Sequence, residues 1–145
     1  MIAFFTSVVN YFNFDVQNYI MRSFGVSQKI EVRRSNLFGR GVFAKDNIEK
    51  GEVLIDIEAK IVKIPGIYQL QIAEHEFLLA DYIDNFINHS CNPNIFIKLY
   101  KNNRKRVSFI ALKNIKKGRQ IFWNYNTTEW ALKDKFSCMC YSKNC

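Results

Sequence analysis

Proline and histidine are almost missing from this chain of 145 residues, with two of each, and glycine is scarce at six. Acidic residues are outnumbered, 13 against 21 lysines and arginines, which leaves a net charge of +8. With only His75 and His89 available, a catalytic zinc held by three imidazoles is excluded. No phosphate-binding loop ending in Gly-Lys-Ser or Gly-Lys-Thr occurs. Gly39 and Gly41 lack the third glycine and the following helix of a dinucleotide-binding turn. Met1 to Val9 is apolar, yet it is far too short to span a bilayer and lacks the basic start of a secretory signal. It reads as a helix or a docking segment.

What is present is aromatic and apolar: 13 Phe and 7 Tyr, a composition that suits a strand-rich core with a few buried aromatic pockets. The length predicts one domain, able to remove about two thirds of its extended-chain surface from water. Asp15 followed by Val16, Tyr19, Ile20 and Phe24, with Gly25 closing, predicts a short capped amphipathic helix. Beyond it the period changes. Lys29 to Arg34, Val53 to Glu58, Tyr68 to Ile72, Ile95 to Tyr100 and Val107 to Ala111 are short runs of Ile, Val, Phe and Tyr that predict strands. Lys101, Arg104, Lys105 and Arg106, beside Asn102 and Asn103, read as a solvated hairpin tip more readily than as a phosphate-binding patch.

Ala44-Lys45-Asp46-Asn47-Ile48-Glu49-Lys50-Gly51 is echoed by Ala111-Leu112-Lys113-Asn114-Ile115-Lys116-Lys117-Gly118. Each Lys-Gly pair predicts a turn with positive φ at the glycine before a new strand. Two similar turns fall short of a repeat architecture, and two units reaching one solution is the preferred account.

The four cysteines are Cys91, Cys138, Cys140 and Cys145. An even count is compatible with two disulfides, but a Cys-x-Cys pair is poorly placed to bridge itself, so metal thiolates are favoured. The tail offers three sulfurs within reach of one ion, and Cys91 can supply a fourth. A closed tetrahedral thiolate set is what zinc prefers in a structural role.

Asn88-His89-Ser90-Cys91-Asn92-Pro93-Asn94, together with Cys138-Met139-Cys140 and Cys145, resembles the signature of SET-domain protein methyltransferases, over a stretch from Ile30 to Cys145. The resemblance implies a mostly β fold with short helices, made of small curved sheets with a knot-like threaded C-terminus. It divides the chain into a helical extension (1–28), a SET domain (29–130) and a post-SET zinc-binding tail (131–145). Cys91, Cys138, Cys140 and Cys145 become the ligands of a structural zinc. Gly39, Arg40 and Gly41, within Phe38-Gly39-Arg40-Gly41-Val42, become one strip of an S-adenosylmethionine site, and Asn88 and His89 the second. Phe136 and Met139 are expected to cover the adenine.

Gly118-Arg119-Gln120-Ile121-Phe122-Trp123-Asn124-Tyr125-Asn126 aligns with the stretch where the family usually shows Glu-Leu, two apolar residues and Asp-Tyr. Tyr125 takes the catalytic tyrosine position; Gln120, Ile121 and Asn124 depart from the pattern. Small SET proteins with Tyr-x-x-Thr-Glu-Trp are similar at Tyr125, Thr128, Glu129 and Trp130. Trp123, in the implied lysine channel, is larger than the family's usual Phe or Tyr, which suggests monomethylation.

The implied activity is methyl transfer from S-adenosylmethionine to a lysine amine in a protein substrate, a histone tail or another basic protein, inside the cell in cytoplasm or nucleus. Residues 59–84 occupy the segment where the family reads its substrates. Two other readings are a catalytically inactive SET module that binds peptide or cofactor and, on charge alone, a zinc-stabilised nucleic-acid-binding domain. No membrane partner is expected.

Overall fold

The computed structural model describes residues 25–36, 39–79, 83–130, 132, 135–143 and 145. Eleven strands run through them: β1 (Gly25–Val26), β2 (Ile30–Ser35), β3 (Gly39–Ala44), β4 (Val53–Glu58), β5 (Lys60–Val62), β6 (Gln69–Ala73), β7 (Glu76–Leu79), β8 (Asn88–His89), β9 (Ile95–Leu99), β10 (Arg106–Ala111) and β11 (Phe122–Trp123). They form four small sheets, in the orders β1-β4-β10-β9, β2-β3, β5-β7-β6 and β8-β11. All pairs are antiparallel except β8 with β11. The fold is mostly β, as expected. Among the described residues no helix is long and apolar enough to cross a membrane.

The five expected strands all form, with ends moved by a residue at most: β2, β4, β6, β9 and β10. The helix expected at residues 15–25 and the apolar segment at 1–9 lie outside the described residues, except that Gly25 opens β1 and pairs with Asp56. Successive side chains of a strand face opposite sides, so buried neighbours mean a strand covered on both faces. Leu54 and Ile55 of β4 are such a pair, as are Val107, Ser108 and Phe109 of β10. The core joins these to Val42, Ile48, Leu78, Ile95, Ile115 and Ile121.

Ser108 is the polar residue inside this sheet, and its hydroxyl donates to Asp56 Oδ1 at 3.0 Å while Tyr100 Oη lies 3.0 Å away. Arg106 closes the group with two bonds to the Asp56 carboxylate, 3.0 and 2.6 Å, and its guanidinium lies over the Tyr100 ring at 4.5 Å. The segment joining β9 to β10 is an exposed hairpin tip that carries Lys101, Arg104 and Lys105 as expected, with Arg104 bonded to the Glu76 carboxylate, whereas Arg106 opens β10.

The two echoing segments pair with each other. Ile48 and Ile115 exchange both backbone bonds, at 2.9 and 2.8 Å. The Lys50 amide donates to Asn114 Oδ1 at 2.8 Å, and the Lys117 amide donates to Asn47 Oδ1 at 2.9 Å. The Gly51 amide bonds the Ala111 carbonyl and the Gly118 amide the Ala44 carbonyl, both at 2.8 Å. Both glycines adopt positive φ, 91° and 81°, as the Lys-Gly turns predict. What one segment does to the other is done back, about a local two-fold axis.

Candidate active site and thiol cluster

β8 and β11 meet side by side in the centre of the fold, Asn88 opposite Phe122 and His89 opposite Trp123. Two residues per strand is too little to hold a parallel pair, so side chains extend it. Asn94 behaves like a further stretch of strand, its Nδ2 donating to the Gln120 carbonyl and its Oδ1 accepting from the Phe122 amide, both at 2.8 Å. The Ser90 amide adds a bond to the Trp123 carbonyl at 2.9 Å. The chain leaves β11 into a 3-10 turn, Tyr125–Thr127, whose Asn126 amide is capped by Asn124 Oδ1 at 3.1 Å. An aspartate would cap in the same way, so Asn124 keeps the shape while losing a charge.

This turn presents Tyr125. Its hydroxyl donates to the Ile87 carbonyl at 2.9 Å. Burial pushes the phenol above its ordinary value, helped by the Glu129 and Tyr68 side chains, so Tyr125 stays protonated. Trp123 Nε1 is near enough to favour the ionised phenol, an effect second only to burial and outweighed by it, yet it makes no hydrogen bond of ordinary geometry. The Trp123 ring meets Tyr125 edge-on at 5.1 Å and Phe109 at 6.0 Å.

On the other side, Asn88 Nδ2 donates to the Arg40 carbonyl at 2.8 Å, which ties β8 to the Gly39-Arg40-Gly41 strip. Gly41 makes room for two side chains: a Cβ there would sit 2.3 Å from Gln120 Nε2 and 3.1 Å from Asn88 Nδ2, so a larger residue would have to displace the Gln120 amide. Gln120, in turn, accepts from the Ser35 hydroxyl at 3.1 Å. The Arg40 guanidinium rests on the Phe86 ring at 4.5 Å. Phe136 lies edge-on to His89 at 5.7 Å and to Tyr125 at 6.1 Å.

A cavity of about 440 Å³ lies between these groups, lined by Arg40, Asn88, Trp123, Tyr125 and Phe136 among others. Its volume is within the range of small-molecule sites. Gly39, Gly41 and His89 do not line it; Gly41 and His89 stand behind the side chains that do. Met139, expected to cover the adenine together with Phe136, does not line this cavity and lies at a separate hollow with Arg33, Phe43 and Tyr141.

The four sulfurs of Cys91, Cys138, Cys140 and Cys145 lie within 4.8 Å of one another, and Cys91 and Cys138 are 3.9 Å apart. None is in a disulfide. Zinc–sulfur bonds of about 2.3 Å in a tetrahedron place sulfurs about 3.8 Å apart, so this donor set fits a metal ion with little adjustment. Cys140 Sγ accepts from the Cys91 amide at 3.4 Å and lies 3.3 Å from the Ser142 hydroxyl; together these hold its thiol down to about 5. The neighbouring Cys138 and Cys140 sulfurs push Cys145 up to about 12. Four thiolates cannot share so small a volume without a cation among them.

His89 stands between the thiols and Tyr125. The Tyr125 amide donates to His89 Nδ1 at 3.2 Å, so the ring proton is on Nε2, 3.3 Å from Cys91 Sγ. Burial holds this imidazole below its ordinary value, in the neutral form such an arrangement requires.

Three residues had no role assigned from the sequence. Asn94 was quoted within the central motif, and its backbone-like bonds to Gln120 and Phe122 become visible only once the strands are threaded. Glu129 and Gln69 both line the cavity. A glutamate four residues beyond the tyrosine was the available signal, since its amide closes a turn on the Tyr125 carbonyl at 2.8 Å.

The SET domain family model matches residues 39–126 of this chain. Curated relatives include human histone-lysine N-methyltransferase 2B, 27% identical over 136 residues, which cover 81% of this chain and 5% of that protein. The H3 lysine-36 specific histone-lysine N-methyltransferase of Candida albicans is 29% identical over 136 residues, 81% of this chain and 16% of its own length. The variant-silencing SET domain-containing protein of Plasmodium falciparum is 29% identical over 139 residues, covering 80% and 5%. The chain thus spans only a small part of these relatives. Among solved structures, a humanized mutant of the Chaetomium thermophilum Polycomb Repressive Complex 2, bound to the inhibitor GSK126, superposes with a TM-score of 0.60. It is 26% identical and covers 74% of this chain and 16% of its own.

Proposed function

The chain belongs to the SET domain family, and on that premise we propose that it is a protein-lysine methyltransferase that uses S-adenosylmethionine. The observation that carries the reading is the shared cavity: Arg40, Asn88 and Phe136, from the cofactor side, and Trp123 and Tyr125, from the lysine side, line one space. When bound, S-adenosylmethionine supplies an electrophilic methyl group together with a positive charge. Arg40, Asn88 and Phe136 are the side chains that would hold it, with Gly41 and His89 supporting them from behind and Gly39 preceding Arg40 in β3.

The chain's own residues prepare the amine. A lysine ammonium has an ordinary pKa of about 10.4 and must lose its proton before it can attack. Leu70, Phe109, Trp123 and Phe136 make the walls apolar, which disfavours the charged form and releases the proton to water. The Tyr125 proton is committed to Ile87, so its oxygen is left to accept an N–H from the neutral amine and aim the lone pair. Alignment of this kind can supply much of the rate without a general base. Trp123 fills the channel beside Tyr125, and monomethylation is the expected outcome.

Cys91, Cys138, Cys140 and Cys145 would hold zinc in a structural role, pinning the post-SET tail (131–145) against the SET domain (29–130) and keeping Phe136 over the cavity. The relatives' names include histone-lysine methyltransferases, and a histone tail or another basic protein is the proposed substrate class, met in cytoplasm or nucleus.

A second reading, an inactive SET module, draws on Asn124 and Gln120. Asn124 caps the Asn126 amide and Gln120 accepts from Ser35 through Oε1, although its Nε2 is buried without a partner, and neither residue lines the cavity. The deciding experiment incubates the chain with labelled S-adenosylmethionine and core histones, beside Tyr125→Phe. Transfer that falls about a hundredfold or more in the variant supports the enzyme with Tyr125 at its centre; no label in either supports the inactive module, and equal transfer by both removes Tyr125 from the chemistry.

A further inference from the structure

The cavity is acidic inside a basic protein. The chain carries +8 overall, yet the charged side chains lining this space among the described residues are Arg40, Asp84 and Glu129. Arg40 lies over the Phe86 ring at 4.5 Å and keeps its charge, which leaves one cation against two carboxylates in the described lining. Glu129 is half-buried, and it is fixed in place: its Oε1 accepts from the Gln71 amide of β6 at 3.3 Å, and the next residue, Trp130, bonds Gln71 Oε1 through its amide at 3.1 Å. Burial pushes the Glu129 carboxyl above its ordinary value, a sign that it lacks a cationic partner of its own.

The hydrogen-bonding inventory of the cavity is lopsided in the same direction. Among the described residues the buried side-chain atoms left without a partner are two acceptors, Gln69 Oε1 and Asn85 Oδ1, and two donors, Trp123 Nε1 and Gln120 Nε2; both acceptors but only the Trp123 donor belong to residues that line this cavity. Gln69 begins β6, the strand that also anchors Glu129. A buried acceptor without a donor costs free energy until a ligand supplies one. An alkylammonium is the side chain that offers three donors and no acceptor.

We propose that Glu129, held against β6 through Gln71, with Gln69 of the same strand, is the specificity-determining acceptor set that draws the target lysine into the cavity as an ammonium ion, which loses its proton only on moving on to the apolar walls where Tyr125 aligns it. Glu129 is a positioning residue that selects a cationic side chain; it forms no bond to the transferred methyl. This deepens the methyl-transfer reading and rests on it for the identity of the amine.

The test uses the full chain and n-butylammonium chloride, the amine end of a lysine, read by the NMR shift of the Trp123 indole N–H. In the native protein the ion shifts this resonance, while n-butanol, its neutral analogue, does so far more weakly. Glu129→Gln weakens n-butylammonium by about tenfold and leaves the Kd of S-adenosylmethionine within about twofold; Glu129→Asp recovers part of the loss. With core histones as substrate, the same variant raises KM while kcat changes little. Equal binding of the ion to native protein and Glu129→Gln overturns the proposal. So does absence of binding to the native chain, or a parallel loss of S-adenosylmethionine affinity, which would assign the carboxylate to the cofactor or to folding. If n-butylammonium binds as expected but no label reaches core histones, the methyl-transfer reading fails and the ammonium site stands.

Discussion

The Tyr125 amide and the His89 ring share one hydrogen bond, N–H to Nδ1 at 3.2 Å, and their rings lie 5.2 Å apart. That bond sets the tautomer that turns Nε2 toward Cys91 Sγ, so a single imidazole connects the cavity to the thiol cluster. Replacing it with an apolar ring-free side chain breaks both links at once. In His89→Leu, methyl transfer is expected to fall about tenfold or more, and the bound metal to be lost faster to a chelator. Kinetics together with metal analysis after dialysis checks this. A variant that loses activity while keeping its metal would separate the two ends of the link.

Removing the metal tests the tail directly. The four sulfurs are already gathered within 4.8 Å, so one zinc per chain is the expected stoichiometry. Chelation, or Cys145→Ser, is expected to lower the melting temperature by about 5 °C or more and to weaken S-adenosylmethionine, because Phe136 sits two residues before Cys138. A melting curve indifferent to the chelator argues against a structural ion.

Trp123 governs how much room remains beside Tyr125, since its ring packs between Tyr125 and Phe109. Trp123→Phe removes ring volume without removing aromatic character. The native protein is expected to stop at monomethyl-lysine, and the variant to accumulate di- and trimethyl products, read by mass spectrometry of reactions run to completion. Trimethyl-lysine as the main native product would show that the tryptophan sets no such limit.

The sequence pattern exposed the strands that are continuous runs of five or six mostly apolar, β-branched or aromatic residues, such as β4 and β10, because run length and propensity agree there. It did not expose β5, β7, β8 or β11. Glu76–Leu79 lacks an alternating pattern and is a strand because it lies between β5 and β6, and the two-residue strands exist only because the chain threads them together. Asn47 and Asn114 show the same limit. Their equivalence was visible as a repeated string, but that each caps the other's turn is a tertiary fact. At the candidate site, the residue types and the cysteine spacing were legible. The separation of Met139 from Phe136 was not, nor was the place of Glu129, which depends on Gln71, 58 residues away in the chain.

Asp56 offers a test of stability that is independent of the site. The Arg106 guanidinium beside it, with the Ser108 hydroxyl, holds its carboxyl below the ordinary value despite partial burial. A depressed carboxyl contributes stability that is complete above its unfolded pKa of about 3.9 and is lost as pH falls through the lower folded value. Asp56→Asn keeps the shape and an acceptor for Ser108 but removes the charge. Since the pair is partly exposed, the expected loss at pH 7 is about 1 kcal/mol. The difference between native protein and variant in urea unfolding should therefore be constant from pH 7 to about pH 5 and then narrow as pH falls further. A gap that widened on acidification would mean that Arg106 does not act on Asp56 as a charge.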